Sequence, residues 1–341
     1  MGADIGDLLE RDTISMKDLD GKIVAFDAFN VIYQFVTTVR GRDGQALTDS
    51  NGNPTSHLAG LLYRTTSFAE AGIKPVFVFD GEPPELKAET IEKRREIRDK
   101  AHEKWKLAVE KGDPAEIYKY AQASARIDPQ VIDESKMLLP MMGIPIVESP
   151  SEGEAQAAFM LENKDVDFVS SQDYDAFIFG ATSVVRNLTV SGKRKLPGKS
   201  VYVDVVPEKV DLNKNLERLG ISREQFIDIA LCVGTDFNKG LERVGAKTAL
   251  KLIKEKGTVE EILRAKDKTD LTPSYHAAKA FFQHPPVTTE YTVKWEKPDA
   301  DKMVEFLCRK RDFSEDRVMN AVQKLNAARA AKKKTTLDQW F

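Results

Sequence analysis

The strongest constraint on the fold of this 341-residue chain is an alternation. Short runs rich in β-branched and aromatic residues, at 22–26, 75–79, 144–147, 166–171, 183–190 and 200–205, are separated by stretches with helical periodicity. Strands joined through helical crossovers run parallel, so the chain reads as an α/β protein with a mostly parallel central sheet flanked by helices. Two segments break the rhythm. About 83–130 is long, highly charged and without strands, and reads as helices projecting from the body. After Val206 helices dominate, at 223–233, 245–256, 259–265, 300–309 and 314–331, with 288–295 as the next extended run. The expected division is therefore a core at 1–206, a helical module at 207–331 packed against it, and a tail at 332–341.

In an open parallel sheet, ligands bind beyond the carboxyl ends of the strands. Nearly every predicted strand runs into an acid at that end. The run IVAF leads into Asp27 and VFVF into Asp80. IPIV is followed by Glu152 and Glu154, and DFVSSQ by Asp173 and Asp175; Asp236 comes after the apolar helix that ends at Val233. Each acid also has an ordinary structural explanation: Asp27 and Asp173 as helix caps, Asp80-Gly81 as a turn, Ser151-x-x-Glu154 as a capping box, Asp236 as an Asx-turn. Their conjunction is what points to chemistry. Seven carboxylates on one sheet edge cannot all stay ionised without cations, and two divalent ions are the natural counterweight. Mg²⁺ takes oxygen ligands, and a pair of such ions suits phosphoryl hydrolysis. Lys87 and Arg94 are seven apart, two helical turns, and share a face of the helix after Asp80, where they could neutralise a phosphodiester.

Composition narrows the remaining choices. Cys232 and Cys308 lie far apart and the four histidines are scattered, so neither a disulfide framework nor a zinc motif is expected. No run is apolar enough for a membrane span, and residues 1–20 are too charged for a signal peptide, so a soluble, cytoplasmic protein without a membrane partner is expected. A net charge of −3 argues against a nucleic-acid partner, but the bases are clustered: five with no acid from Arg186 to Val203, and nine against three acids from Arg309 to Lys334. Gly192 to Ser200 imitates a phosphate-binding P-loop with the wrong glycine spacing, and it precedes a strand instead of a helix.

The stretches VAFDAFNVIYQF, TSHLAGLLYRT, GIKPVFVFDGEPPELK, ESPSEGEAQAA, SSQDYDAFIFG, CVGTDF, RDFSEDRV and TTLDQWF occur in this order along almost the whole chain. Together they resemble the flap endonucleases of the structure-specific 5′-nuclease superfamily, in their archaeal form. The resemblance implies a PIN-like 5′-nuclease fold and two Mg²⁺ or Mn²⁺ ions held by Asp27, Asp80, Glu152, Glu154, Asp173, Asp175 and Asp236. It makes the charged segment a helical arch threaded by a 5′ flap, with Lys87 and Arg94 on the scissile phosphate and Tyr33 stacked on a base. It also implies a pocket for a 3′ flap at Thr55, Arg311 and Arg317, and a helix-turn-helix that grips duplex phosphates through Lys247, often with a K⁺ ion. The sequence departs from the family there, Arg243 standing for a glycine and Ala246 for a proline. The tail resembles a peptide that docks on the sliding clamp PCNA through Leu337, Trp340 and Phe341, with Lys334 where glutamine is usual. The implied activity is removal of 5′ flaps in replication and repair, with associated 5′–3′ exonuclease action, by a monomer. An exonuclease or junction resolvase of the same superfamily shares the acids but differs in arch and tail. A non-catalytic clamp-bound DNA-binding protein would need the acids to be degenerate, and all seven are present.

Overall fold

The computed structural model describes residues 2–41, 45–190, 193–195 and 202–337. The chain builds strands β1 (Asp12–Thr13) and β2 (Ile23–Asp27), helices α1 (Ala28–Thr38) and α2 (Ser56–Glu70), and β3 (Lys74–Phe79). The charged segment forms α3 (Ala88–Lys111) and α4 (Pro114–Ala123), followed by α5 (Pro129–Met141), β4 (Ile146–Glu148), α6 (Gly153–Glu162), β5 (Phe168–Ser170) and α7 (Asp175–Ile178). Four strands come next, β6 (Ser183–Arg186), β7 (Lys193–Lys195), β8 (Tyr202–Asp204) and β9 (Glu208–Asp211). The rest is helical: α8 (Leu212–Leu219), α9 (Arg223–Val233), α10 (Ala246–Lys256), α11 (Val259–Ala265), α12 (Thr272–Gln283), α13 (Ala300–Met303) and α14 (Glu315–Leu337).

The main sheet has seven strands in the order β1-β9-β6-β5-β2-β3-β4; the five from β6 to β4 are parallel, and β9 and β1 add an antiparallel edge. The chain winds from β2 outward to β4 and then returns to the other side of β2. The strand order therefore reverses between β2 and β5, the place where such sheets open a crevice. Side chains alternate across the sheet. Val24, Phe26, Phe77, Phe79 and Val185 face one core with α1, α2, α5 and α14, whereas Ala25, Val76, Val78, Val169 and Val184 face a second core with α6, α7 and α9 to α12. Both faces are covered, which explains why the strands read as continuous apolar runs. Phe26 stacks on Phe68 and Phe77 at 4.9 and 5.3 Å between ring centres.

Several expectations are corrected. The run at 200–205 contributes β8, which pairs only with β7 in a separate antiparallel ribbon and does not join the main sheet. An unexpected strand, β9, appears just after Val206, and 288–295 forms no strand. That segment is tied to the body at its two ends: the Gln156 side-chain amide pairs with the backbone N–H and C=O of Thr288, and the Trp295 indole donates to the Pro75 carbonyl at 2.9 Å. The helix expected at 300–309 continues past α13 as a π-helical stretch, Val304–Arg309. Helices α8 and α12 were not expected.

The charged segment stands out from the body as a hairpin of α3 and α4. Along α3 only Ala101 and Ala108 are buried, and the surface is laced with exposed i,i+4 pairs such as Lys93 to Glu89 at 2.7 Å. Gly112 closes α3 at φ +67°, where glycine escapes the Cβ penalty, and Asp113 caps α4 ahead of Pro114. The C-terminal end of α4 returns to the body, where Gln122 donates to the Thr37 carbonyl at the end of α1. Among the described residues no helix is long and apolar enough to cross a membrane.

Candidate active site

All seven sequence-nominated acids line one open cleft of about 1690 Å³, bounded by the carboxyl ends of β2, β3 and β5, by α1, and by the α3–α4 hairpin. Lys87, Arg94 and Tyr33 line it as well. One of the ordinary explanations proves compatible with the site and another gives way. Asp27 does cap α1, accepting from the Asn30 amide at 3.0 Å, while its carboxyl group stays in the cleft. The Ser151–Glu154 box does not form: residue 152 occupies the cap position, and Glu154 accepts from the Ser171 hydroxyl at 2.5 Å. Asp80 accepts from the Gly153 amide at 2.6 Å. A side chain at 153 would place Cβ 2.7 Å from that oxygen, so glycine is needed for the approach. Asp175 accepts from the Ala3 amide at 3.0 Å, and Asp173 from the Asn30 side chain at 3.4 Å.

The electrostatics are those of a site with excess negative charge. Burial, then the neighbouring Asp80, push the Asp27 carboxyl up to about 8. Burial and Asp236 raise Asp175 to about 7, and burial and Glu152 raise Asp80 to about 6. Glu154 is raised well above the usual carboxylate range by burial and by Asp175, Asp27 and Asp173. Two cations reach in from the hairpin. The Lys87 ammonium lies 2.6 Å from Glu152 and 3.9 Å from Asp236, and the Arg94 guanidinium donates to both oxygens of Asp236 at 2.5 and 2.7 Å. Between them Thr90, on the same helical face, donates to the Asp236 backbone carbonyl at 2.8 Å.

Among the described residues the acids line the cleft without any three closing on one point as ligands of a single ion. Mutual repulsion keeps unscreened carboxylates apart. The donor set is nonetheless all oxygen, and its raised proton affinities mark anionic charge that two basic side chains do not offset. Those properties fit hard divalent cations.

The other nominated residues fall at several places in the fold. Tyr33 projects from α1 and is 40% exposed, open to a flat ligand. Thr55 is buried at the start of α2. Arg311 reaches toward the same loop, donating to Glu134 at 2.5 Å and lying 3.5 Å from Asp49, whereas Arg317 is exposed on the first turn of α14. Lys247 is exposed on the first turn of α10. Arg243 takes φ +61°, the left-handed conformation that a glycine adopts freely, and Ala246 is the first residue of α10, where proline is favoured. The turn is thus kept despite both substitutions. Trp340 and Phe341 lie outside the described residues. Not anticipated were Asn30, Thr90, Gly153, Ser171 and the Gly2–Ala3 segment. Only Gly153, between two nominated glutamates, carried a sequence signal.

Residues 7–101 match the XPG N-terminal domain and residues 143–236 the XPG I-region. The first span contains Asp27, Asp80, Lys87 and Arg94, and the second contains the other five acids. Fold and acid-lined cleft together define a nuclease of the XPG type. Flap endonuclease 1 of Methanosarcina acetivorans is 55% identical over the full length of both chains, and that of Archaeoglobus fulgidus 50%. The solved flap endonuclease-1 from Methanococcus jannaschii, at 41% identity, superposes with a TM-score of 0.76 over 97% of this chain and 100% of that one. The catalytic core of Rad2 in complex with a DNA substrate has the same fold at 24% identity, with a TM-score of 0.68 over 94% of this chain and 97% of that one. The chain belongs to the flap endonuclease 1 family. Nucleases of this type use divalent metal ions.

Proposed function

We propose that this protein removes 5′ flaps from branched DNA during replication and repair, hydrolysing a phosphodiester in the acid-lined cleft to leave a 5′ phosphate and a 3′ hydroxyl. The observation that carries the reading is the convergence of seven carboxylates and two hairpin cations on one cleft beneath a projecting helical pair. Asp27, Asp80, Glu152, Glu154, Asp173, Asp175 and Asp236 would hold two Mg²⁺, with Mn²⁺ as a substitute. When bound, the ions activate water for in-line attack and stabilise the leaving 3′ oxygen. Lys87 and Arg94, already inside the cleft, neutralise the scissile phosphate, and Tyr33 offers a ring on which a base stacks.

The division of labour runs along the chain. Residues 1–206 carry the cutting machinery, completed by Asp236 from the helical module, with the 5′ strand threading beneath α3 and α4. Residues 207–331 bind duplex through phosphate contacts such as Lys247, with a K⁺ ion at the turn before α10. Thr55, Arg311 and Arg317 receive a 3′ flap. Residues 332–341 carry the peptide for the sliding clamp PCNA, with Leu337, Trp340 and Phe341 as its apolar contacts. The protein acts as a cytoplasmic monomer, with 5′–3′ exonuclease activity as a secondary property. The test compares 5′-flap, blunt duplex and single-stranded substrates with Mg²⁺ or Mn²⁺, using wild type and Asp175→Ala. Flap cutting that is metal-dependent and lost in Asp175→Ala is expected; equal cutting of all three substrates, or undiminished cutting by the variant, refutes the reading.

A further inference from the structure

Asp173 and Asp175 flank a tyrosine that faces the other way. Tyr174 does not line the cleft, although its neighbours on both sides do. Its hydroxyl accepts from Arg186, on the last residue of β6, at 2.5 Å, and the Arg186 guanidinium lies 4.3 Å from the centre of its ring. The other terminal nitrogen of Arg186 donates to the Gln172 carbonyl at 2.8 Å. One planar guanidinium therefore grips the residues immediately before and after Asp173. The ring has other close neighbours: a Cβ at Gly6 would lie 2.3 Å from the Tyr174 oxygen, and Arg11 stands 5.9 Å from the ring centre. Glu208 on β9 lies 3.5 Å from Arg11 and 4.0 Å from Arg186, anchoring both bases to the sheet edge.

We propose that Arg186 and Tyr174 form a positioning clamp on the back of the 171–175 loop, fixing Asp173 and Asp175 for a divalent ion. The proposal rests on the metal-site reading above. On the cleft side the Asp173 amide donates to the Ser171 hydroxyl at 3.1 Å, Asn30 reaches the Asp173 carboxyl at 3.4 Å and the Ala3 amide holds Asp175 at 3.0 Å, while the residues on either side of Asp173 are gripped by a side chain from behind. Arg186 is largely buried, and a buried guanidinium persists where its fork is matched to fixed acceptors. A lysine cannot satisfy carbonyl and hydroxyl together from one planar group, and phenylalanine at 174 removes one acceptor while keeping the ring. Outer partners of metal-holding carboxylates typically control affinity by about ten- to a hundredfold.

The test is titration of the full chain with Mn²⁺ alone, following free Mn²⁺ by EPR, for wild type, Arg186→Lys, Tyr174→Phe and Asp175→Ala. Arg186→Lys retains the charge, so its effect reports geometry. Binding about tenfold weaker in Arg186→Lys and Tyr174→Phe is expected, with the Mn²⁺ concentration for half-maximal flap cutting raised in parallel and cutting largely recovered at saturating Mn²⁺. A merely structural role would lower the melting temperature without moving the Mn²⁺ affinity. Wild-type affinity in both variants, while Asp175→Ala has lost binding, overturns the clamp and leaves the metal site standing. Absence of Mn²⁺ binding by wild type, or full binding by Asp175→Ala, overturns the metal site and the clamp with it. Tyr174→Phe removes a single oxygen, so it decides the matter even if Arg186→Lys fails to fold.

Discussion

Replacing Asp80 by asparagine should stabilise the metal-free protein, and only above mildly acidic pH. An unfolded aspartate ionises near 3.8, but in the folded protein burial and Glu152 raise Asp80 to about 6. Between those values the folded state binds more protons than the unfolded one, so stability falls as pH rises from about 4 to 6 and remains low above it. A shift of that size is about 3 kcal/mol, which water in the open cleft screens to roughly 1–2 kcal/mol. Asparagine keeps an oxygen for the Gly153 amide and has no charge to lose. Melting in a chelator, for a chain of this length with roughly 0.7 kcal/mol per degree of unfolding entropy, should give a gain of about 2 °C at pH 7.5 and almost none at about pH 3, below the ionisation of the unfolded aspartate. Added Mn²⁺ should then raise the wild-type melting temperature more than the variant's, because the ion offsets a repulsion that the variant no longer has. A gain that is equal at both pH values, or larger in acid, would refute the electrostatic account of the cleft.

Other consequences can be checked separately. Lys87→Ala and Arg94→Ala should each reduce flap cutting by roughly 10²–10³-fold at saturating metal in single-turnover assays, as expected for groups that stabilise developing charge. Arg311→Ala strips the partner from Glu134, which is buried against His57 at 3.1 Å, and should cost about 2–3 kcal/mol in chemical denaturation; adding Glu134→Gln in the same chain should recover most of it. Ala246→Pro should raise stability by about 0.5 kcal/mol, because Gly245 already has the extended backbone, φ −91° and ψ 176°, that a following proline requires. Arg243→Gly should relieve the left-handed φ of +61° and leave the melting temperature unchanged or slightly higher.

The acids were legible in the sequence because they sit at positions fixed by backbone periodicity. Asp27 and Asp80 come directly after uninterrupted β-branched and aromatic runs, and once those runs are strands of one parallel sheet their ends must share an edge. Lys87 and Arg94 were legible for the same reason, since helical spacing alone puts them on one face. The strand at 208–211 was not legible, because EKVD has the composition of a surface turn. It becomes a strand only by pairing with β6 on one side and with the two-residue β1 on the other. The segment at 288–295 failed in the opposite sense, looking extended and β-branched but fastened at Thr288 to the Gln156 side chain and at the Trp295 indole to the β3 backbone. Pairing partners distant in sequence decided both cases.

Arg186 shows the same limit at the site itself. By composition it opens a basic, acid-free stretch, and counting charges assigns it to a phosphate-binding surface. In the fold its guanidinium turns inward to Gln172 and Tyr174, so it contributes order to the acids behind the cleft instead of charge to the DNA in front. The reason is topological. β6 lies beside β5 in parallel register, with Ser170 opposite Val185, so the residue that ends β6 comes level with the loop that leaves β5. A side chain as long as arginine spans that gap to the residues on either side of Asp173. Seven carboxylates gathered by strand ends repel one another, and without such rear supports the loops that carry them would relax outward. On the proposed metal-site reading, positioning of the acids in this cleft depends on groups that do not themselves line it, and these are the groups that charge patterning places on the wrong side of the sheet.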